Sequence, residues 1–279
     1  MPAPLHRRFQ DLFFLCWGVS STLALYSKPI VPGLEGKHPL DQSLVGEVLI
    51  GELMCAACHE DSIVKPWARS SAPDLLGIGA RIKTDYLRRF LANPSQAHPG
   101  TKMPDVLSGL SAERRTEAVE SLTHFLQFQN ALKNTVAKTE RGNRQNGRKL
   151  FHQVGCVACH PAWNENSEEE PSTGLLNLSH VTGKYDESKL SSFLFDPLKT
   201  RSSGRMPDLH LTKREANDLA AFLSNPAQGN PSDIDEFKSD PKKVAQGKKY
   251  FNELKCAACH LLPHNTDTTM SLPLAKVDA

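Results

Sequence analysis

A five-residue pattern, Cys-x-x-Cys-His, occurs three times in this chain of 279 residues. The first cysteines of the three copies are Cys55, Cys156 and Cys256, which lie 101 and 100 residues apart. Because the chain holds only 7 cysteines and 11 histidines, chance gives about 0.007 such patterns. The sequence is therefore a tandem repeat, and each repeat must build a site from these residues.

The pattern is the attachment signature of a c-type haem. Two thiols one helical turn apart can add to the two vinyl groups of one haem, and the next histidine then reaches the iron as proximal ligand. The predicted cofactor is haem c, with up to three attached covalently. The candidate attachment residues are Cys55, Cys58, Cys156, Cys159, Cys256 and Cys259, and the candidate iron ligands are His59, His160 and His260.

Zinc sites, redox-active pairs and disulfides explain the pattern less well. Three Cys-x-x-Cys pairs cannot be divided into four-ligand zinc sites without a remainder. A thioredoxin-like pair belongs in a βαβ pattern, which is absent here, and local disulfides leave the three histidines unexplained.

The repeat extends upstream of each attachment pattern. A glycine stands nine residues before each first cysteine, and a large apolar residue stands five residues before it. This spacing predicts a helix that leads into the site, with a glycine that lets a second helix approach closely. The glycines are Gly46, Gly147 and Gly247, and the apolar residues are Ile50, Phe151 and Phe251.

Downstream, the first two copies match without gaps from residues 75–103 to residues 178–206. Each copy predicts a helix that ends near a proline, Pro94 or Pro197, followed nine residues later by Met-Pro-Asp. A lone methionine is usually core filler. Met103 and Met206 are two of the chain's five methionines and occupy equivalent places, which favours a role as iron ligands.

A helix follows each of these methionines. Ser111 is placed to cap the first, and Thr212 with Glu215 forms a capping box for the second. Polar stretches around residues 130–144 and 225–243 predict linkers that divide the chain into beads. The predicted core faces are Val119, Leu122, Phe125 and Leu126 in the first helix, and Ala216, Leu219, Ala220 and Leu223 in the second.

With these motifs in this order, the chain resembles class I cytochrome c. The resemblance covers roughly residues 40–130 and 140–225. It implies an all-α fold of tandem class I cytochrome c domains, two complete and a partial third, joined by polar linkers. The expected domains are residues 38–130, 140–225 and 240–279, after a signal peptide at 1–27.

The resemblance also implies ligand pairs, namely His59 with Met103 and His160 with Met206. In that family a proline after the motif often orients the proximal histidine through its carbonyl. Pro73 stands at that place in copy one, whereas copy two has Leu176, and its nearest proline is Pro171.

The third copy departs from the family pattern. Its methionine is expected near residues 304–306, but the chain ends at 279, and Met270 and His264 lie too close to the motif. A shortened chain, a completing partner and an open haem are the three explanations. The apolar face of Tyr250, Phe251 and Leu254 is expected to pack on module two, on another chain or on nothing.

The N-terminus carries a basic segment and then a short apolar run from about residue 12 to residue 25. This order is typical of a secretory signal, cut between about residues 21 and 29, although a buried helix or a membrane anchor is an alternative. Cleavage would remove Cys16. We therefore expect a periplasmic or otherwise exported protein with no membrane span after cleavage, since no apolar run reaches about 18 residues.

Electron transfer is the predicted function. Histidine and methionine together fill both axial positions of the iron and leave no place for substrate, so we expect an electron carrier without catalytic residues rather than an enzyme. The expected partners are redox proteins as donor and acceptor, and the net charge of +2 argues against nucleic acid. The alternative is the haem subunit of a periplasmic dehydrogenase, or a peroxidase that uses an open third haem. Among the other histidines, His98 is the best candidate for a distal ligand.

Overall fold

A computed structural model describes residues 30–31, 34, 41–53, 55, 72–75, 77–128, 140–166, 168–172, 174–201, 204–224 and 237–260. This part of the chain is helical and contains no β-strand, and the one β-bridge described there joins Trp163 to Glu169. The helical content agrees with the predicted all-α class. The predicted signal segment 1–27, Cys58 and His59 lie outside the described residues.

Five of the described helices belong to the first repeat. Asp41 caps the first by accepting a hydrogen bond from the backbone N–H of Leu44, and Asn93 caps the fourth in the same way. The third helix ends before Pro94, which has no N–H to continue it. The helices are α1 (Gln42–Glu52), α2 (Ile78–Arg81), α3 (Thr84–Ala92), α4 (Pro94–Ala97) and α5 (Ala112–Phe128).

The second repeat follows the same order, and one further helix lies after it. The predicted capping box is confirmed, because Thr212 and Glu215 exchange hydrogen bonds at the start of the tenth helix. The helices are α6 (Arg144–Gln153), α7 (Val181–Lys184), α8 (Glu187–Phe195), α9 (Pro197–Thr200), α10 (Lys213–Leu223) and α11 (Pro241–Glu253). Short 3₁₀ turns at Cys156–Ala158 and Cys256–Ala258 follow α6 and α11.

In the second repeat, α6 crosses α10. A Cβ on Gly147 would overlap the backbone carbonyl of Asp218, so only glycine allows this approach. One turn later, Phe151 packs on Phe222 with ring centroids 5.6 Å apart. The buried residues around this crossing form the second core, which consists of Phe151, Trp163, Val181, Leu190, Leu194, Leu211, Ala216, Leu219, Ala220, Phe222 and Leu223.

The closing helix of the first repeat, α5, is crossed by α11 from the C-terminal segment. A Cβ on Gly247 would overlap the carbonyl of Ser121, and Phe251 packs on Phe125 with ring centroids 5.5 Å apart. The expectation that this apolar face packs on module two, on another chain or on nothing is wrong. The first core consists of Ile82, Tyr86, Leu87, Leu91, Leu107, Ala118, Leu122, Phe125, Leu126, Tyr250 and Phe251.

The sequence predicts separate beads that are joined by polar linkers. In the structure, the two cores also contact each other directly. The backbone N–H of Lys83, at the start of α3, donates to the carbonyl of Lys184 in α7 at 2.8 Å. Tyr185 packs against both cores. Among the described helices, none is both long and apolar enough to cross a membrane.

Candidate haem sites

The second attachment motif begins directly after α6. Gly155 has a left-handed backbone (φ 100°) that turns the chain from the helix into the 3₁₀ turn at Cys156. The backbone N–H of His160 then donates to the carbonyl of Cys156 at 3.0 Å. Cys156 and Val157 pack against the second core, whereas Cys159 is exposed.

The imidazole of His160 is oriented by a backbone carbonyl. Its Nδ1 lies 2.8 Å from the oxygen of Leu176, and this contact assigns the proton to Nδ1 and leaves Nε2 as the atom that can bind a metal. Burial lowers the pKa of His160, against the opposing effect of this hydrogen bond. The ring is therefore favoured in its neutral form, which ligation requires.

Leu176 supplies to His160 the backbone carbonyl that a proline often supplies in the family. The backbone N–H of Leu176 donates to the carbonyl of Cys159 at 2.9 Å, which fixes the loop against the motif. Because every residue has a backbone carbonyl, the role needs the position and not the proline ring.

The third motif has the same local geometry. Lys255 has a left-handed backbone (φ 53°) at the place of Gly155, and the N–H of His260 donates to the carbonyl of Cys256 at 2.9 Å. Burial raises the pKa of the Cys256 thiol to about 11. Cys256 and Ala257 pack against the first core, as Cys156 and Val157 pack against the second.

Pro73 provides the carbonyl in this site. Nδ1 of His260 lies 2.8 Å from the oxygen of Pro73, the same distance as between His160 and Leu176. The sequence comparison assigned Pro73 to the first motif, and the structure places the third motif's histidine there instead. Burial lowers the pKa of His260, against the effect of the Pro73 hydrogen bond.

Each predicted methionine shares a core with one attachment motif. Met206 packs against the second core, which Cys156 also contacts. Met103 packs against the first core, which Cys256 also contacts. Met206 therefore shares a core with the motif that the sequence predicts, whereas Met103 shares a core with the third motif.

The first motif is described only at Cys55 and in the helix before it. In α1 no described residue is buried, and a Cβ on Gly46 would meet no described atom within 4 Å. At the end of α1, Glu52 pairs with Lys102 and Arg205, the residues directly before the two candidate methionines. This end of α1 therefore lies beside both methionine loops.

Two arginines bring positive charge to the first core's site. Arg81 donates through Nη1 to the carbonyl of Thr200 at 2.8 Å and through Nη2 to the carbonyl of Asp74. The buried Nε atoms of Arg81 and Arg201 have no hydrogen-bond partner among the described residues. Arg201 comes from the second repeat, and nothing in the repeat alignment marks it as a site residue.

A pair of stacked histidines lies between the two repeats. The rings of His98 and His180 have centroids 3.9 Å apart. Burial, together with the positive charges of Lys184 and Arg201, lowers the pKa of His98 to about 3. Burial also lowers the pKa of His180 well below its ordinary value. The suggestion that His98 is a distal ligand stays a prediction, and its described ring contacts are with His180 and Phe90.

Residues 145–226 match the family model described as Cytochrome c. The matched segment runs from α6 through α10 and contains the second attachment motif and Met206. It supports a c-type cytochrome domain, which carries covalently bound haem c and serves haem-based electron transfer in general. No curated protein and no solved structure matches the chain.

Proposed function

Starting from a cytochrome c domain at residues 145–226, we propose that the whole chain is an exported multihaem cytochrome c that carries single electrons. One observation supports this most strongly, namely that the same site geometry occurs twice. His160 and His260 each contact a backbone carbonyl at 2.8 Å, and each motif shares a core with one candidate methionine.

The bound haem supplies a one-electron redox centre. The role of the protein is to attach it, to fill both axial positions of the iron and to exclude water. In the second repeat, Cys156 and Cys159 would form the two thioethers, His160 would be the proximal ligand and Met206 the distal ligand. Each thiol adds its S–H across one vinyl double bond, so attachment needs no oxidant or reductant.

Export is supported by the signal-like N-terminus at residues 1–27. Cleavage there would remove Cys16 and leave only the six motif cysteines. The partners would be donor and acceptor proteins in the periplasm or another exported location.

The peroxidase alternative needs an open iron at the third motif. His260 is instead held by Pro73 beside the first core, which Met103 also contacts. This arrangement supports a six-coordinate carrier more than an open catalytic haem. A dehydrogenase haem subunit would have the same sites and differ only in a fixed partner.

Intact mass spectrometry of the full chain, produced with haem-maturation machinery, tests this function. We expect loss of the segment before about residue 29 and addition of three covalent haems. The double variant Cys156→Ala with Cys159→Ala should carry one haem fewer. A mature chain with no covalent haem would overturn the proposal.

A further inference from the structure

We propose that the third motif completes the first repeat, so that the haem attached to Cys256 and Cys259 has His260 and Met103 as its axial ligands. The inference deepens the proposed multihaem function and rests on it. It replaces the pairing of His59 with Met103 that the resemblance to class I cytochrome c implies.

The helix crossing is the first support. In the second repeat, Gly147 lies against the Asp218 carbonyl, and Phe151 packs on Phe222 at an interplanar angle of 54°. The crossing of α11 on α5 repeats this arrangement. Gly247 lies against the Ser121 carbonyl, and Phe251 packs on Phe125 at the same angle of 54°.

The partners in the two crossings also have the same spacing in sequence. Asp218 and Phe222 are four residues apart in α10, and Ser121 and Phe125 are four residues apart in α5. Both pairs therefore lie on one helix face. In this structure α11 occupies on α5 the place that α6 occupies on α10.

The site itself is the second support. His260 contacts the Pro73 carbonyl, and Met103 and Cys256 both pack against the first core. The segment of the first repeat from Pro73 to the end of α5 supplies the Pro73 carbonyl, Met103 and one face of α5. Among the described residues, it is the third motif and its helix that lie against this segment.

The first motif's helix does not take this place in the structure. A Cβ on Gly46 would meet no described atom within 4 Å, whereas the equivalent atom on Gly247 would overlap backbone. The described contacts of Glu52 are with Lys102 and Arg205, which belong to the methionine loops and not to α5.

The charges around the site fit a haem, which carries two carboxylate groups. The unpartnered, buried Nε atoms of Arg81 and Arg201 are donors that a carboxylate would satisfy. Arg201 directly follows Thr200, whose carbonyl accepts a hydrogen bond from Arg81, and the charge of Arg201 acts on Arg81. Asp74 is the carboxylate beside Arg81. The second repeat thus contributes a charge to the first repeat's site.

The test is the methionine–iron charge-transfer signal of the haem-loaded full chain, which should contain two equal contributions. Removing the third motif with Cys256→Ala and Cys259→Ala should halve the signal. The matched variant Cys55→Ala with Cys58→Ala should keep all of it. The Met206 contribution, present in both variants, reports that the second repeat is still folded.

A second pair of variants keeps every cysteine. Gly247→Ala should weaken the Met103 contribution because its Cβ meets the Ser121 carbonyl, although alanine favours a helix more than glycine does. Gly46→Ala is the matched control and should change nothing. Loss of signal in either first-motif variant, or a wild-type signal from one methionine only, would overturn the inference. Absence of covalent haem would instead overturn the proposed function.

Discussion

The two helix crossings are alike in geometry and opposite in chain order. In the second core, α6 precedes α10 and both belong to one repeat, whereas in the first core α11 comes from the end of the chain and closes on the earlier α5. Both crossings place a glycine against a carbonyl and a phenylalanine on a phenylalanine. Two complementary helix faces therefore determine which helices cross. The order of the repeats along the chain does not.

The first and third copies differ in the residues available for this crossing. Copy one presents Leu49-Ile50, and copy three presents Tyr250-Phe251. Phe251 supplies an aromatic pair with Phe125, which contributes about 0.5–1.5 kcal/mol beyond burial. The hydroxyl of Tyr250 also donates to the Glu117 carboxylate at 3.0 Å. Ile50 can supply no such ring contact, so α11 is the better partner for α5.

Truncation of the buried phenylalanines should have the largest effect. Phe151 and Phe251 are each 1% exposed, so Phe→Ala at either position should lower the unfolding free energy of its core by about 3–5 kcal/mol. Ile50→Ala should cost less than half as much. Denaturant unfolding followed at each core measures these losses. A larger loss for Ile50→Ala than for Phe251→Ala would reverse the comparison.

Cutting the polar linker between α10 and α11 should break the covalent connection of α11 to the two repeats without releasing α11. After limited proteolysis between residues 225 and 236, we expect the C-terminal fragment to stay bound, because Tyr250 and Phe251 are buried on α5. Size-exclusion chromatography should show both fragments in one peak. Phe125→Ala should release the C-terminal fragment, while Phe222→Ala should not. Release of the C-terminal fragment from the cleaved, unmutated chain would show that α11 does not pack stably on α5.

Removal of Arg201 should affect the two proposed haem sites unequally. Its charge lies near His260, so Arg201→Leu should lower the reduction potential of the haem in the first core. The haem with Met206 should change less, and exposed Arg114→Leu serves as a matched control. Redox titration resolves the two. An equal shift in both potentials would show that Arg201 does not belong to one site.

Acid should weaken the junction between the repeats. The pKa of folded His98 is lowered from 6.5 to about 3, so the unfolded chain binds the extra proton first, and stability present above pH 6.5 is lost as the pH falls toward 3. His98→Phe should flatten this dependence in thermal unfolding. His210→Phe, at a side chain that is 88% exposed, is the control and should leave the slope unchanged. The same acid slope in His98→Phe would assign it to other groups.

Loss of the Glu52 ion pairs should have the smallest effect. Glu52 joins α1 to Lys102 and Arg205, and the three side chains are 17%, 25% and 47% exposed. Ion pairs that solvent still reaches contribute about 1 kcal/mol or less. Glu52→Gln should therefore change the melting temperature little while making α1 easier to cleave. If α1 resists the protease equally well in Glu52→Gln, contacts other than these ion pairs keep it in place.

The sequence predicts much of the second repeat. The capping box at Thr212 and the crossing glycine at Gly147 each follow from residue type and spacing, which act within one segment. The role of Leu176 did not follow, because a backbone carbonyl carries no signature in the side chain.

The first site could be predicted only in part. The periodicity of α11 shows that Phe251 lies on an apolar face, but periodicity does not name the helix that covers that face. The contributions of Arg201 and His180 arise where two repeats meet, and neither residue has a counterpart of the same type in the other repeat. Contacts between distant segments therefore account for what the sequence did not reveal.

A crystal structure of the haem-loaded full chain is the most direct test, because it shows which histidine lies across the haem from Met103. We predict His260, with its Nδ1 on the Pro73 carbonyl and Phe251 packed on Phe125. His59 opposite Met103, with Ile50 packed on Phe125 and the third motif elsewhere, would contradict the account.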